Sequence, residues 1–588
     1  MKKLTLFISI LVMIWISVQG QQRTVNGEII SDTNNLVVIK LWGTHAERGY
    51  AHGYLLGDKI TEVLQGYIIP YFGSDYSEAR TLVSNGQSLI IDSLYQVEAQ
   101  SMVDGMDDAG FNTTNLDYID ILVANCWSDL EGFFSKKRGG VGCSCLLNWG
   151  EGTSNSFLSG KSIIARFYDW GGYIPTLVDN AAMIIHIPSE PGLQPWLIVG
   201  YTGEMVPTGG GINQGGLSMY KNAMGDFYCS AVPGVQYAPY QFTMRKILEA
   251  DDFNGDGVHN TQDARDGFDA NPQGYPIDKI IPVISRSEGN TDSLTAMVAE
   301  IAPVSPTHVY RTNTYDDMIP GDNLYAANSQ IKRNNAQNYC ARYYNVSNNF
   351  GDSTDFSVLK NYSTMINYSK SLTGYNYGFI QHIPEMDLLK VSVIRDSTDA
   401  CDLPMTIFNL REFFNHAPVF LSQPVDSARV GEEYNYNVTA MDIDPYDSII
   451  FSADQIPDWL TITDNGDGTA RLHGVPDSIG IDSVTLIASD GFAQVSQNFG
   501  ITITQTTSLT ELSEEVISVN PNPFCDKIHI RTKNDMQVKV FSMNGDIVYS
   551  AALEKPGGKI DLGFLSPGAY ILVVGDGKKK ASRKIVKY

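Results

Sequence analysis

Cys143 is the residue in this chain best placed to do chemistry. It follows Gly142 directly and opens the run Gly142-Cys143-Ser144-Cys145-Leu146-Leu147-Asn148-Trp149. A polar turn falls near 151–156, and a second apolar run over 162–167 leads into Arg166-Phe167-Tyr168-Asp169-Trp170. Two apolar runs around a polar turn predict two paired strands, with the cysteine at the start of the first. Such a hairpin would bring Arg166 and Asp169, three apart on the second strand, beside the cysteine. A cysteine that attacks a carbonyl needs a base and a donor for the oxyanion. The competing reading is a buried core cysteine with Arg166 and Asp169 as a structural ion pair. Cys145 is a second contender, because on an extended strand it points to the same face as Cys143.

These residues resemble the N-terminal-nucleophile amide hydrolases. The nearest pattern is that of the acyl-coenzyme A:isopenicillin N acyltransferase group, with penicillin V acylase and choloylglycine hydrolase as relatives. Those families place Gly-Cys-Thr/Ser-Ser before one strand and Arg-Asn-x-Asp-Trp/Phe on the next. Here the segments are Gly142-Cys143-Ser144 and Arg166-Phe167-Tyr168-Asp169-Trp170, with Phe167 where the family has Asn. The resemblance implies a four-layer αββα sandwich and self-cleavage between Gly142 and Cys143. The freed Cys143 then carries its own base, the α-amino group. With a reference pKa near 7.7, roughly one-sixth of such an amine is neutral at pH 7, against fewer than about one in a thousand for a lysine. Asp169 is expected to orient that amine, and Arg166 to favour the thiolate.

Four further segments follow the same pattern in order, over roughly residues 40 to 415. Leu41-Trp42-Gly43-Thr44-His45-Ala46-Glu47-Arg48-Gly49, with His52, Gly53 and Gly57, resembles the segment that opens the acyltransferase family. Its glycines predict a helix packed closely on a neighbour, with packing or surface roles for His45 and His52. The run from Gly209 to Met219 resembles the family's Gly-Met-Asn-Glu-x-Gly-Leu and nominates Asn213 for substrate binding. Asn222 stands where penicillin acylases hold an asparagine near substrate. Tyr325-Ala326-Ala327-Asn328-Ser329 resembles the Thr-Asn-His segment, which makes Asn328 the expected oxyanion donor, with Ser329 replacing the histidine. Cys340-Ala341-Arg342-Tyr343 resembles the Ser-x-Arg-Tyr that follows and adds Arg342 to the catalytic set.

A different chemistry interrupts this region near residues 251–270. Asp252, Asn254, Asp256, Asn260 and Asp263 fall at positions 1, 3, 5, 9 and 12 of a loop, with Gly257 at 6 and the Val258 carbonyl at 7. That spacing fits an EF-hand-like calcium loop ending in Asp, as dockerin repeats have, so structural calcium is expected. No organic cofactor is expected.

The 588 residues are 43% hydrophobic and 18% charged, which predicts several globular domains. A net charge of −25 argues against nucleic acid as a partner. Lys2 and Lys3 precede an apolar run from Leu4 to Val18 and a small residue, Gly20, so residues 1–20 read as a signal peptide. No later run is apolar for the length a membrane helix needs. Seven scattered cysteines do not make a disulfide framework.

The expected order is a pre-nucleophile segment over 21–142 and a catalytic domain over 143–416. Short alternating runs separated by Gly, Asp and Pro over 417–504 predict a β-sandwich of Ig type and resemble bacterial cadherin-like modules. Asp464-Asn-Gly-Asp-Gly468 marks a hairpin there. A polar linker occupies 505–515. Residues 516–588 resemble the C-terminal sorting domain of Bacteroidetes type IX secretion, from Pro521-Asn522-Pro523-Phe524 through Leu565-Ser-Pro567-Gly568 to a Lys-rich last strand. The fold class is α+β followed by two small all-β domains. The expected function is an exported cysteine amidase or acyltransferase acting on a small-molecule acyl amide. The alternatives are a phospholipase-B-like esterase of the same fold and a noncatalytic, calcium-dependent surface-binding protein.

Overall fold

A computed structural model describes residues 23–134, 142–224, 230–287, 292–333, 340–370, 374–442, 447–505, 517–576 and 579–588. The expected signal peptide over 1–20 and all but the first residue of the linker over 505–515 lie outside the described residues. The chain divides into two units, Met1–Asn415 and His416–Tyr588.

Two sheets build the first unit. A ten-stranded sheet runs in the order Gly27–Thr33, Leu36–Gly43, Ala181–Pro188, Trp196–Tyr201, Gly211–Asn213, Ser218–Met219, Lys279–Ile284, Ala296–Ile301 and His308–Arg311, with Asn222–Ala223 also paired to Lys279–Ile284. A six-stranded sheet runs Asn323–Ala326, Cys143–Asn148, Ile163–Trp170, Tyr375–Ile383, Leu388–Val393 and Thr406–Asn409. Strands buried on both faces read as continuous apolar runs, as Leu36-Val37-Val38-Ile39 does.

The alternation of side chains along such a run sorts it into layers. Val37, Ile39 and Leu41 pack with the helices His45–Val63, Ser93–Asp108 and Tyr118–Asn125. Leu36 and Val38 face the other way, into a core shared with Leu147, Ile164 and Ile380 of the six-stranded sheet. The far face of that sheet, with Leu146, Ala165 and Phe167, packs on Tyr343 and Val346 of the helix Ala341–Asn348. The order through the unit is therefore helices, sheet, sheet, helices.

Gly49 and Gly53 are where the first helix touches the Ser93–Asp108 helix. A Cβ at Gly49 would fall 2.2 Å from the Glu98 carbonyl oxygen, and one at Gly53 would fall 1.8 Å from that of Met102. Between Ser84 and Ser93 the chain leaves the helical conformation, so that Tyr76–Ser84 and Ser93–Asp108 are separate helices.

His45 and His52 are both buried, so the surface role considered for them falls away. His45 Nδ1 lies 2.6 Å from Glu190 Oε1, and Arg48 Nη1 donates to Glu190 Oε2 at 3.0 Å. Arg245 binds Glu98 at 2.6 Å and Glu249 at 3.0 Å. His52 Nε2 accepts the Gly203 N–H at 3.1 Å, and burial pushes its pKa down to about 4. Each of these contacts but one joins a residue before 143 to a residue after it.

In the second unit, Tyr434–Met441 alternates buried and exposed residues along its length. Its inward side chains share a core with Val484, Leu486 and Ile501, which belong to a different four-stranded sheet. Leu460–Asp464 and Thr469–Gly474 pair antiparallel around the expected turn, where Gly466 and Gly468 adopt φ of 76° and 79°. A separate core, built from residues such as Ile528, Val538, Leu572 and Ile585, holds the strands after 517.

Candidate functional site

Cys143–Asn148 and Ile163–Trp170 pair antiparallel, with Cys143 opposite Tyr168 and Cys145 opposite Arg166. Residues directly opposite one another share a face of the sheet, so both thiols and the Arg166 guanidinium lie on the side toward the ten-stranded sheet. Arg166 Nη2 donates toward Cys143 Sγ at 3.7 Å, and Nη1 toward Cys145 Sγ at 3.8 Å. Nη1 also donates to Asn222 Oδ1 at 3.0 Å. The rings of Tyr168 and Tyr220 flank the guanidinium, with centroids 5.2 and 5.5 Å from its carbon. Burial pushes the Cys145 thiol up to about 12 in spite of Arg166, which removes it as a thiolate near neutral pH.

Asp169 reaches the site from the other side. Its backbone N–H donates to the Gly142 carbonyl at 2.9 Å. Its carboxylate accepts from Asn376 Nδ2 at 2.8 Å and pairs with Arg342 Nη1 at 3.2 Å. Burial pushes this carboxyl up to about 6, against the pull of Arg342. Arg342 Nη2 donates to the Cys143 carbonyl at 3.2 Å and to Asn328 Oδ1. Asn328 Oδ1 also accepts the Cys143 N–H, at 3.3 Å. The hairpin thus brings Gly142, Cys143, Arg166 and Asp169 together with Asn222, Asn328 and Arg342.

Several of these residues make contacts other than those the resemblance implies. Arg166 and Asp169 form no ion pair with each other; each is held by other groups. Asn328 presents its carbonyl, not its amide donor, to Cys143, and its Nδ2 donates to the Ala223 carbonyl. Asn213 sits in the turn between Gly211–Asn213 and Ser218–Met219, where its amide binds Leu248 O at 3.2 Å and the Leu217 N–H at 2.8 Å. Those partners are structural ones, outside the Cys143 group. Asn222 likewise spends its donors on the Ala326 and Ala327 carbonyls, at 3.1 and 3.2 Å.

The sequence offered no signal for two buried ionisable neighbours. Lys221 alternates with Asn222 and places its Nζ 4.5 Å from the Trp127 ring centre. Burial, helped by the nearby Lys279 charge, brings its pKa down to about 7. Glu204 lines a cavity beside Tyr168, and burial pushes its carboxyl up to about 8.

The loop from Asp252 turns its oxygens to its own backbone. Asp252 accepts from the Gly255 and Gly257 N–H groups at 2.7 and 2.6 Å, and Asp256 Oδ1 from that of Val258 at 2.8 Å. Asn260 and Asp263 form a reciprocal cap at the start of the helix Thr261–Asp269. Among the described residues, groups of three acidic or thiol ligands within 4.8 Å of one another are Asp399–Cys401–Asp402 and Asp442–Asp447–Asp490. Asp252, Asp256 and Asp263 are not so closely gathered, although with Asn254, Asn260 and the Val258 carbonyl they offer the hard oxygen donors calcium takes.

Residues 518–588 match the model of the secretion system C-terminal sorting domain. This segment is a type IX secretion sorting domain. It directs the chain to the cell surface or to secretion. No helix among the described residues is long and apolar enough to cross a membrane. No curated protein matches the chain. Among solved structures, an endo-fucoidan hydrolase from glycoside hydrolase family 107 is 16% identical, with 37% of this chain and 38% of that one covered and a TM-score of 0.16. The chain therefore spans well under half the length of that enzyme. The Ig1-2 module of the Drosophila receptor protein tyrosine phosphatase DLAR is 15% identical, covering 29% of this chain and 98% of its own at a TM-score of 0.14. The titin domains z1z2 give 15%, 29%, 98% and 0.16.

Proposed function

We propose that the chain is an exported cysteine amide hydrolase or acyltransferase of the N-terminal-nucleophile type, activated by a cut between Gly142 and Cys143. The observation that carries this reading is the treatment of one peptide unit. The Gly142 carbonyl accepts the Asp169 N–H at 2.9 Å, and the Cys143 N–H donates to Asn328 at 3.3 Å. The thiol of the same residue lies 3.7 Å from a buried guanidinium. The layering of helices around two sheets agrees with the fold that the Gly-Cys-Ser resemblance implies.

In the activating step, the Cys143 thiol gives up its proton and attacks the Gly142 carbonyl carbon. The Asp169 N–H meets the oxyanion that forms. The C–N bond breaks as the departing nitrogen takes a proton, leaving a thioester between Gly142 and Cys143. Water hydrolyses it to a Gly142 carboxylate, a free thiol and an α-amine on Cys143. In turnover that amine accepts the thiol proton and returns it to the leaving amine of the substrate, while Asn328 Oδ1 and Arg342 hold the amine's position. Arg166 stabilises the thiolate. Water or an acceptor amine then takes the acyl group from Cys143.

N-terminal sequencing of the mature protein tests the cut, and a panel of acyl-amino acids, penicillin V, bile amides and lysophospholipids tests the bond class. A mature chain starting at Cys145, or full activity without cleavage, overturns the reading. We further propose that calcium draws Asp252, Asp256 and Asp263 together and orders the insertion, and that residues 417–504 form an Ig-like module.

A further inference from the structure

Cys143 and Cys145 are both free thiols, and residues two apart on a strand share a face. Both sulfurs sit on one guanidinium, at 3.7 and 3.8 Å from the two terminal nitrogens of Arg166. Cys145 stands where the pattern this segment resembles carries serine, and it has no part in the activating step or in turnover. It is fully buried, and its thiol donates toward Asn222 Oδ1 at 3.8 Å.

The intact strand keeps the two sulfurs from joining. With a rise of about 3.3 Å per residue, α-carbons two apart lie roughly 6.6 Å from each other, and their parallel Cα–Cβ bonds hold the β-carbons about as far apart. A disulfide needs β-carbons about 3.5 to 4.5 Å apart. Cys143 is, however, the last residue of its strand. The strand Asn323–Ala326 pairs with it only as far as Cys145. Beyond that point three bonds hold the backbone. The Gly142 carbonyl accepts the Asp169 N–H at 2.9 Å, the Cys143 N–H donates to Asn328 at 3.3 Å, and the Cys143 carbonyl accepts from Arg342 at 3.2 Å. A cut after Gly142 removes the first of these ties from Cys143 and leaves that residue at a chain end. Its backbone can then turn and carry the sulfur toward Cys145.

We propose that Cys145 is the resolving thiol of the nucleophile: when peroxide oxidises Cys143 in the cut chain, the two close into a disulfide that a dithiol reductant reopens. The assignment rests on the reading of Cys143 as an N-terminal nucleophile. In the first step the Cys143 sulfur attacks one oxygen of hydrogen peroxide. The O–O bond breaks, the second oxygen leaves as water with the thiol proton, and Cys143 becomes a sulfenic acid. In the second step the Cys145 sulfur attacks the Cys143 sulfur. The S–O bond breaks, and its oxygen leaves as water with the Cys145 proton, passed on by the Cys143 α-amine. Two thiols and one peroxide thus give one disulfide and two waters. Burial pushes the Cys145 thiol up to about 12, so it meets peroxide as the unreactive thiol while Cys143 is oxidised. Cys340 packs against the far face of the six-stranded sheet, on the wrong side to serve.

The test is treatment of the mature wild-type chain and of Cys145→Ser with hydrogen peroxide, followed by mass measurement of the peptide beginning at Cys143. In wild type that peptide should become lighter by two hydrogens, and a dithiol reductant should return Cys143 to labelling by iodoacetamide. In Cys145→Ser it should gain two or three oxygens, and reductant should return less than about one-tenth of the labelling, because sulfinic and sulfonic acids are not reduced by thiols. Sulfinic or sulfonic acid at Cys143 in wild type, a Cys143 left unoxidised, or a bridge to any other cysteine overturns the proposal however well Cys145→Ser folds. N-terminal sequencing of the same wild-type sample separates the two readings. A chain cut at Cys143 that forms no bridge overturns this proposal alone, and a chain that is never cut there overturns the proposed function on which it rests.

Discussion

Arg166 and Asp169 stand three residues apart on one strand and approach Cys143 from opposite sides of the sheet. Arg166 lies on the thiol, at 3.7 Å, while Asp169 holds the peptide unit before it through its backbone N–H at 2.9 Å. The odd spacing puts the two side chains on opposite faces, while the main-chain N–H of Asp169 lies in the plane of the sheet. The charge on the sulfur and the placement of the carbonyl it would attack are therefore set by separate residues.

The nucleophile can be identified by substitution. Cys143→Ala should remain a single uncut precursor without amidase activity, whereas Cys145→Ala should cleave to a chain beginning Cys-Ser. Gel mobility and N-terminal sequencing of the two variants check this, and cleavage of Cys143→Ala would refute it.

Arg342 should matter through position rather than charge on the sulfur. It ties Asp169, the Cys143 carbonyl and Asn328 together. Arg342→Ala should slow self-cleavage by roughly 10²-fold, the scale of a small misplacement, with little loss of secondary structure. The Asp169 carboxyl, which titrates near 6, loses its ion pair with Arg342 when protonated. Cleavage of the purified precursor should accordingly weaken as pH falls through about 6, and a pH–rate series would detect it. A flat profile from pH 5 to 8 would contradict this role.

Glu204 should leave a mark on stability. Its folded pKa of about 8 exceeds the usual 4.5, so the folded chain holds a proton that the unfolded chain has released between those values. Stability should then decline as pH rises across that window, by up to about 1.4 kcal/mol per pH unit. Glu204→Gln should flatten the decline. Urea midpoints at pH 5 and 8 for both chains provide the measurement, and parallel behaviour would count against it.

Calcium, if it fills the Asp252 loop, should raise the melting temperature of the wild type by mass action. Asp256→Ala should lose that increment in calcium and match wild type in chelator. Identical melting of both chains under both conditions would rule the site out.

Export rests on residues 518–588. A chain ending near Thr504 should stay in the periplasm and keep its activity in cell extract. Fractionation of cells expressing it gives the answer, since surface delivery of the truncated chain would assign sorting elsewhere.

The hairpin around Cys143 was legible because two apolar runs and a polar turn specify it locally. Bringing Asn222, Asn328 and Arg342 to it needed the resemblance, since nothing in their own neighbourhoods points to a common place. The direction of the Asn328 amide was not legible at all; it depends on Arg342 and on the Ala223 carbonyl, a contact made 105 positions away in sequence. The cavity was equally hidden. Its walls come from residues near 60, 125, 168 and 204, each an ordinary apolar or turn residue in its own stretch. His45 illustrates the same limit, since its partners Glu190 and Glu249 lie far along the chain.

The ion pairs that join Arg48 to Glu190 and Glu98 to Arg245 bear on the protein's life after the proposed cut. They would keep the two pieces together as one particle, with nothing released. Refolding would nevertheless become a second-order event, because two chains would have to find each other and rebuild a network in which most charge pairs take one member from each piece. A cut molecule that unfolds in dilute surroundings outside the cell would therefore have no ready way back. Its useful lifetime would be governed by how slowly it opens, and not by the equilibrium that formed it.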